Sequence, residues 1–356
     1  MAHKKQHPHD RHDCSGRHKC GGGTKGGGNP PHFTAPPIPP LKFPREGGIR
    51  YTPWLLVRYA AGDMGARPLA GGTVFWESPD VWVQSSLGIN QPVVGEANQV
   101  FARVTNFGWQ SATGVMVKFW WANPSLAITE TSANLIAIGW ADIPSGWSVV
   151  VPCPEPWYPI EENGGHECLI AEAYIPVFDP LTAPMDPVDD RHVGQKNEQL
   201  AVLQAGQSFK IHLQAANVFA LAQKLTFEVQ PVRLAQVPPL LVARKLTRVE
   251  LQPPSAVLPM SLQLSGGPAV FTGPSTVFAG RLLALAQQEA AGTAMECTAA
   301  AQISHSAHFE AWESRTLEIA GQVPPGAQPG QTYVFRVVQR AGPLITGGYT
   351  VDVVVV

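Results

Sequence analysis

Residues 97–122, ANQVFARVTNFGWQSATGVMVKFWWA, decide the fold. Val100, Ala102 and Val104 alternate with Gln99, Phe101, Arg103 and Thr105, the period of two of a strand with one buried face. Val115, Val117 and Phe119 repeat that period against Met116, Lys118 and Trp120. Between the two runs, Asn106-Phe107-Gly108 can reverse the chain. Two half-buried strands cannot hold themselves in water, so a second sheet must cover their apolar face. The stretch predicts a β-sandwich.

Working outward, 356 residues are enough for two cores once a tail is set aside. Apolar residues make up 44% and charged residues 15%, with a formal net charge of -2, which removes any general electrostatic case for nucleic acid. The 34 glycines and 34 prolines fit many turns and irregular connections. No apolar run is long enough to span a bilayer, so no membrane insertion is expected. No apolar segment follows the basic N-terminal residues as in a signal peptide. The expected location is extracellular, at a surface or on a particle without a conventional leader, and otherwise cytoplasmic. Five cysteines are too few, and odd in number, for a disulfide-stapled miniature.

In chain order, residues 1–48 read as a flexible Gly/Pro/His-rich N-terminal tail. It carries scattered histidines, a glycine tract and then prolines from Pro30 to Pro44, with too little apolar surface to form a core. Residues 49–199 read as one sandwich with an N-terminal extension, its strands expected at 51–59, 73–76, 81–84, 135–139, 147–151 and 165–173 beside the central pair. Residues 200–356 read as a second, with strands at 208–215, 224–229, 245–251, 261–264, 316–319, 332–339 and 348–356. Pro329-Gly330 and Gly347-Gly348 read as turn signals. The last valines suit a core or interface strand better than an open edge. ArgLeuLeuAlaLeuAlaGlnGlnGluAlaAla departs from the strand period and predicts one short inserted helix near 280–292. The expected class is all-β: two immunoglobulin-like β-sandwiches, a tail and that helix.

SerProAspValTrpVal (78–83), ArgValThrAsnPheGly (103–108), SerGlyTrp (145–147) and HisGluCysLeuIleAla (166–171), with Gln195 and Asn197 after them, carry a resemblance. Over roughly 76–199 the chain resembles the CARDB-like branch of immunoglobulin-like bacterial β-sandwich domains. The resemblance implies a non-catalytic module of adhesion, surface or multidomain proteins, and brings no catalytic set with it.

Several side-chain groups can be weighed for chemistry. His7, His9, His12, Cys14, His18 and Cys20 are ligand types for zinc or another transition metal, although their spacing is not that of a structural zinc site. Asp179, Asp186, Asp189 and Asp190 could offer oxygens to calcium in the 179–190 loop, or simply belong to a proline-rich turn. Cys153 and Cys168 flank a loop able to bring them to disulfide distance; the alternative is two separate thiols, with Cys297 a lone thiol in either case. Cys153 with His166 and Glu162, or His305 and His308 with Glu310, could be tried as catalytic sets, but neither has the framework of a known nucleophile or zinc-protease motif. Trp120, Trp121, Trp140, Trp147 and Trp157 form a dense aromatic set for a small sandwich. Neighbours 120 and 121 must point to opposite faces, so one of them can serve a domain seam or a partner surface.

Repeated sheets, a tail and no reactive constellation predict a non-catalytic structural or binding protein whose partners are protein, as assembly subunits. A secreted carbohydrate-binding module is the alternative, and a metal-dependent hydrolase a weaker one.

Overall fold

The alternation at residues 97–122 produces two long strands that lie in facing sheets. The computed structural model describes residues 52–160, 167–232, 250–251, 260–270 and 303–356. Its first eight strands are β1 (Leu55–Leu56), β2 (Val81–Gln84), β3 (Gln99–Asn106), β4 (Ala112–Ala122), β5 (Ala133–Ile143), β6 (Ser148–Pro152), β7 (Cys168–Tyr174) and β8 (Val193–Lys196). One sheet sets β1 and β2 on one edge of β3 and β6 on the other; the facing sheet runs β5-β4-β7-β8. Val100, Ala102 and Val104 meet Val115, Val117 and Phe119 in the space between, joined by Leu169 and Ala171 of β7. The strand parity read from the sequence is the parity of the core.

Nine more strands follow: β9 (Glu198–Leu203), β10 (Ser208–Ala216), β11 (Gln223–Pro231), β12 (Glu250–Leu251), β13 (Met260–Val270), β14 (Ile303–Phe309), β15 (Glu313–Gln322), β16 (Gln331–Ala341) and β17 (Leu344–Val355). They form a sheet β10-β15-β13 and a sheet β14-β11-β16-β17-β9, with β12 also on β16. Phe227, Phe309, Phe335 and Tyr349 fill the core together with Val351 and Val353. The C-terminal valines therefore do belong to a core strand, one lying between β16 and β9.

The two sandwiches repeat one connectivity. In the first, β3 pairs antiparallel with β6, β4 lies between β5 and β7, and β8 follows on β7. In the second, β10 pairs with β15, β11 lies between β14 and β16, and β17 follows on β16. The repeat extends to one asparagine. Asn106 Oδ1 accepts the N–H of Gly108 at 2.9 Å while its Nδ2 donates to the carbonyls of Gln110 (2.8 Å) and Ile143 (3.1 Å). Asn217 Oδ1 accepts the N–H of Phe219 at 3.1 Å while its Nδ2 donates to the carbonyls of Leu221 and Glu310, both at 2.8 Å. An amide can accept and donate at once, so one residue closes its own turn and ties it to the facing sheet's corner.

β7 is buried on both faces. Leu169 and Ala171 serve the first core, whereas Cys168 and Ile170 belong to the cluster that fills the second. The seam is completed by a segment placed against β17. A Cβ added to Gly348 would lie 2.2 Å from the Trp76 ring, and one added to Gly347 would lie 1.5 Å from the carbonyl oxygen of Leu126. Gly347 and Gly348 are thus not a turn before the strand but lie within it, where the absence of side chains lets the first sandwich approach. Beside them Glu77 receives two bonds of 2.7 Å from Arg336, Nε to Oε1 and Nη2 to Oε2. The Trp76 indole N–H donates to Thr350 at 3.1 Å. The buried Asn197 donates to the carbonyls of Ser125 (3.3 Å) and Gly348 (3.1 Å).

Three expectations change. The fold class is corrected: the described residues are strand, turn and loop with no helix, and the helix expected at 280–292 lies outside them. Residues 73–76 form no strand; they are the loop that delivers Trp76 to the seam. The boundary expected between 199 and 200 falls inside β9. Residues 1–51, with the tail and its histidines and cysteines, also lie outside the described residues.

Adding one methyl at Gly348 forces either the Trp76 ring or β17 to move, an overpacking cost of about 2–3 kcal/mol. Urea denaturation of Gly348→Ala is expected to show that loss. Gly62→Ala, whose added methyl meets nothing within 4 Å, is expected to stay within about 0.5 kcal/mol of the parent.

Candidate functional site

The acidic loop between β7 and β8 folds back on its own carboxylates. Asp190 Oδ2 accepts the N–H of Thr182 (2.6 Å), the Thr182 hydroxyl (2.8 Å) and the N–H of Ala183 (2.9 Å). Its Oδ1 accepts the His192 N–H at 2.9 Å and lies 2.5 Å from His192 Nδ1. Asp179 Oδ2 accepts the Leu55 N–H at 2.5 Å and lies 3.2 Å from His192 Nε2, while Oδ1 pairs with Arg191. Asp186 Oδ1 receives the N–H groups of Val188 (2.9 Å) and Asp189 (3.4 Å). Of the carboxylates weighed for calcium, Asp179 ties the loop to β1, Asp186 bonds within the loop, and Asp190 joins its start to His192, just before β8. Among the described residues, no group of three or more His, Cys, Asp or Glu side chains is arranged to hold a metal.

His192 therefore sits buried between two carboxylates. Burial by itself disfavours the imidazolium, but the bonds and charges of Asp179 and Asp190 outweigh it and raise its pKa. Burial likewise opposes ionisation of Asp190, and His192 with the backbone donors outweighs it, holding that carboxyl well below the usual range.

Cys153 and Cys168 are separate buried thiols. Cys153 lies in the first core; Cys168, on the seam face of β7, donates to the Ser125 carbonyl at 3.7 Å. This corrects the disulfide: each cysteine is packed into a different cluster. Burial pushes the thiols up, to about 11 for Cys153 and about 12 for Cys168, which disfavours the thiolate. His166 and Glu162, the partners weighed for Cys153, lie outside the described residues, as does Cys297. His305 and His308 lie on β14. Three residues apart on a strand, they point to opposite faces and cannot close on one metal or substrate with Glu310. At the seam, a cavity of about 10 Å³ lined by Met185, Gln195 and Thr346 has room for about one water.

The tryptophans divide by environment. Trp157 is in the first core. Trp121 packs against that core, and Trp120, on the other face of β4, packs against the second. Trp120 donates its indole N–H to the buried Glu172 at 3.0 Å and lies 5.8 Å beneath the Lys118 ammonium. It serves the seam. Trp140 and Trp147 are exposed, with Trp140 on the outer face of β5.

Trp147 belongs to a larger feature that the sequence reading missed. Its carbonyl accepts the Asn106 N–H at 2.9 Å, and Ser145 Oγ donates to the Gly108 carbonyl at 2.7 Å. The turn that carries Trp109, closed by Asn106, is thus bonded to the turn that carries Trp147. The hairpin between β7 and the acidic loop, closed by the bridge of Ile175 and Asp179, is tied through Leu55 to the same end of the sandwich. Its tip carries Val177 and Phe178. These four side chains are 65–79% exposed. Trp109 could have been read from its place one residue after the Asn-Phe-Gly turn. Val177 and Phe178 carry no such signal, because an apolar pair beside Pro176 reads equally well as a strand end.

No family model matches the sequence, and no curated protein matches it. Solved structures give likenesses of low score. A family 123 glycoside hydrolase from Clostridium perfringens matches at 11% identity and TM-score 0.25, over 45% of this chain and 23% of the hydrolase. The collagen adhesin of S. aureus matches at 10% identity and TM-score 0.20, over 82% of this chain and 96% of the adhesin. The CupB6 tip adhesin of Pseudomonas aeruginosa matches at 10% identity and TM-score 0.18, over 87% and 100%. The chain thus spans less than a quarter of the hydrolase, and at these scores none of the three assigns an activity. The described residues form an all-β fold of several sheets.

The pair His192 and Asp190 makes stability depend on pH with a fixed sign. A histidine with a raised folded pKa contributes fully below its unfolded value of about 6.5 and loses that contribution as pH climbs through the folded value. A depressed aspartate contributes above about 3.9 and loses its part as pH falls towards its folded value. Urea midpoints of the parent minus those of His192→Asn should therefore be largest between about pH 4 and 6.5 and shrink on the alkaline side. A difference that stays constant from pH 5 to about pH 10 would show that the imidazolium contributes nothing.

Proposed function

We propose that this chain is a non-catalytic structural or adhesion protein that binds a protein partner, as a subunit of a larger assembly or at a surface. The observation that carries the reading is a division of labour among side chains. Asp179, Asp186, Asp190 and His192 of the β7–β8 loop are buried in bonds that hold the fold, and the thiols of Cys153 and Cys168 are buried in two cores, whereas the first sandwich turns Trp109, Trp140, Trp147, Val177 and Phe178 outward. Large aromatics on rigid turns and strands are the usual anchors of protein recognition. The finer reading, that residues 76–199 form a CARDB-like module, is part of this proposal and rests on the residues quoted for it. Several of them prove structural. Ser78 donates to the Arg58 carbonyl at 2.6 Å, Asp80 pairs with Arg58 at 2.7 Å, and Asn197 lies in the seam.

A carbohydrate-binding module is the second reading. It is favoured by Trp109 and Trp147 standing on adjoining turns beside the exposed Gln110, rings and an amide of the kind that stack on and bond to sugars.

Photo-crosslinking in the native assembly separates the two. A benzophenone side chain at position 140 or 147 is expected to give discrete adducts with protein, and one at the exposed Lys210 of the second sandwich is not. Adducts at 140 and 147 no stronger than those at 210, together with glycan-array binding that Trp147→Ala abolishes, would give the function to carbohydrate.

A further inference from the structure

We propose that a second copy of this chain covers the end of the first sandwich that bears Trp109, Trp147, Val177 and Phe178, forming a two-fold, end-to-end dimer. This rests on the reading of the chain as an assembly protein and names its first partner.

The internal repeat supplies a comparison within one molecule. The asparagine turn of the second sandwich has the same closure, yet where the first carries Trp109 and then Gln110, three and four residues after Asn106, the second carries Ala220 and then an exposed Leu221, three and four residues after Asn217. The carbonyl that accepts the asparagine N–H is that of Trp147 in the first sandwich and that of Glu313, a buried residue paired with Arg315, in the second. The framework thus closes without either tryptophan. Their exposure is not a by-product of building the turn.

The chemistry of this end narrows what can cover it. Its arginines are engaged: Arg67 pairs with Asp63 at 2.9 Å, and Arg191 pairs with Asp179 and lies over the Trp54 ring at 4.4 Å. An anionic lipid surface would find no uncommitted cation in either of them. Val177 and Phe178 offer a sugar no hydrogen bond from their side chains. An apolar end whose arginines are already paired suits another such end, because a two-fold contact of like with like sets no unpaired arginines against each other; the exposed carboxylate of Asp142, on the neighbouring β5, accepts the Gly114 N–H at 2.8 Å. The area comes near what such a contact needs. Three aromatic side chains about two-thirds exposed offer roughly 400 Å² per copy. A symmetric pair buries roughly 800 Å² before Val177 and Met64 are added, close to the roughly 1,000 Å² that a specific interface needs.

The test is sedimentation velocity and light scattering of the full chain from about 1 to 100 µM, the range in which an interface of this size associates. The parent is expected to dimerise. Trp109→Ser/Trp147→Ser is expected to weaken the dimer at least about 30-fold, as loss of central aromatic anchors does, with an unchanged circular dichroism spectrum and urea midpoint. Trp140→Ser, on the outer face of β5, is expected to leave the dimer intact. Phe178→Asp provides a second break that does not touch the asparagine turn. A parent that stays monomeric throughout, or a dimer that the double variant and Phe178→Asp leave unchanged, overturns the proposal. Should a monomer's crosslinker at 147 capture a different subunit, the dimer fails and the assembly reading stands. Should a monomer instead float with phosphatidylcholine and phosphatidylserine vesicles through Trp147, both fail.

Discussion

The close approach of Trp76 and Glu77 to β17 is the contact on which the arrangement of the described chain depends. Two glycines side by side in a strand are a weakness in isolation, because each orders a backbone with the most freedom to lose and packs nothing. Here they are the seat of an indole and of a loop carbonyl. Once the ring is seated, Thr350 can accept its N–H and offer its own hydroxyl to Glu77 at 2.5 Å, and Glu77 can hold Arg336 with both oxygens. A buried ion pair of this kind is poor evidence of net stability, since desolvation offsets much of the attraction. Its contribution is registration: a carboxylate already committed to a guanidinium and a hydroxyl leaves few alternative ways for the two sandwiches to meet.

Repetition of one connectivity within the chain separates frame from decoration. Shared pairings, and asparagines that close the same turn, belong to the frame. What differs at equivalent places, Trp109 against Ala220 or an extended acidic loop against the tight β16–β17 connection, is free to serve other ends. Sandwich frames host many unrelated functions, and loops grafted at their ends carry most of them. That is why low-scoring fold likenesses are silent about activity while individual side chains at one end are informative.

Much of the fold was legible in local pattern. The alternation of Val100, Ala102 and Val104 survives unchanged because a two-residue period leaves only one way to bury that set. The opposite orientations of Trp120 and Trp121 followed from the same rule. What could not be read was anything fixed by long-range approach. Gly347-Gly348 resembles a turn until Trp76 is known to lie on it. Strand β14 carries histidines at a spacing that suits a helix face, and only its pairing with β11 makes it a strand. The Cys153–Cys168 loop permitted a bond that burial in two different clusters prevents. Of the outward aromatics, Trp140 and Trp147 were singled out but not their exposure, because adjacency in sequence says nothing of which turn stands at which end.

The parallel pairing of β9 with β17 has a kinetic meaning. Glu198 lies opposite Thr350, and Leu203 opposite Val355, so the sheet cannot close until a strand from far along the chain arrives between β16 and β9. Contacts of such separation are reached late, after the entropy of a long intervening loop has been lost. Until then Trp76 has no seat and the seam face of β7, with Ile170 and Cys168, stays wet. A first core that closed before β17 arrived would carry a hydrophobic flank, a surface through which two nascent copies could exchange their last strand.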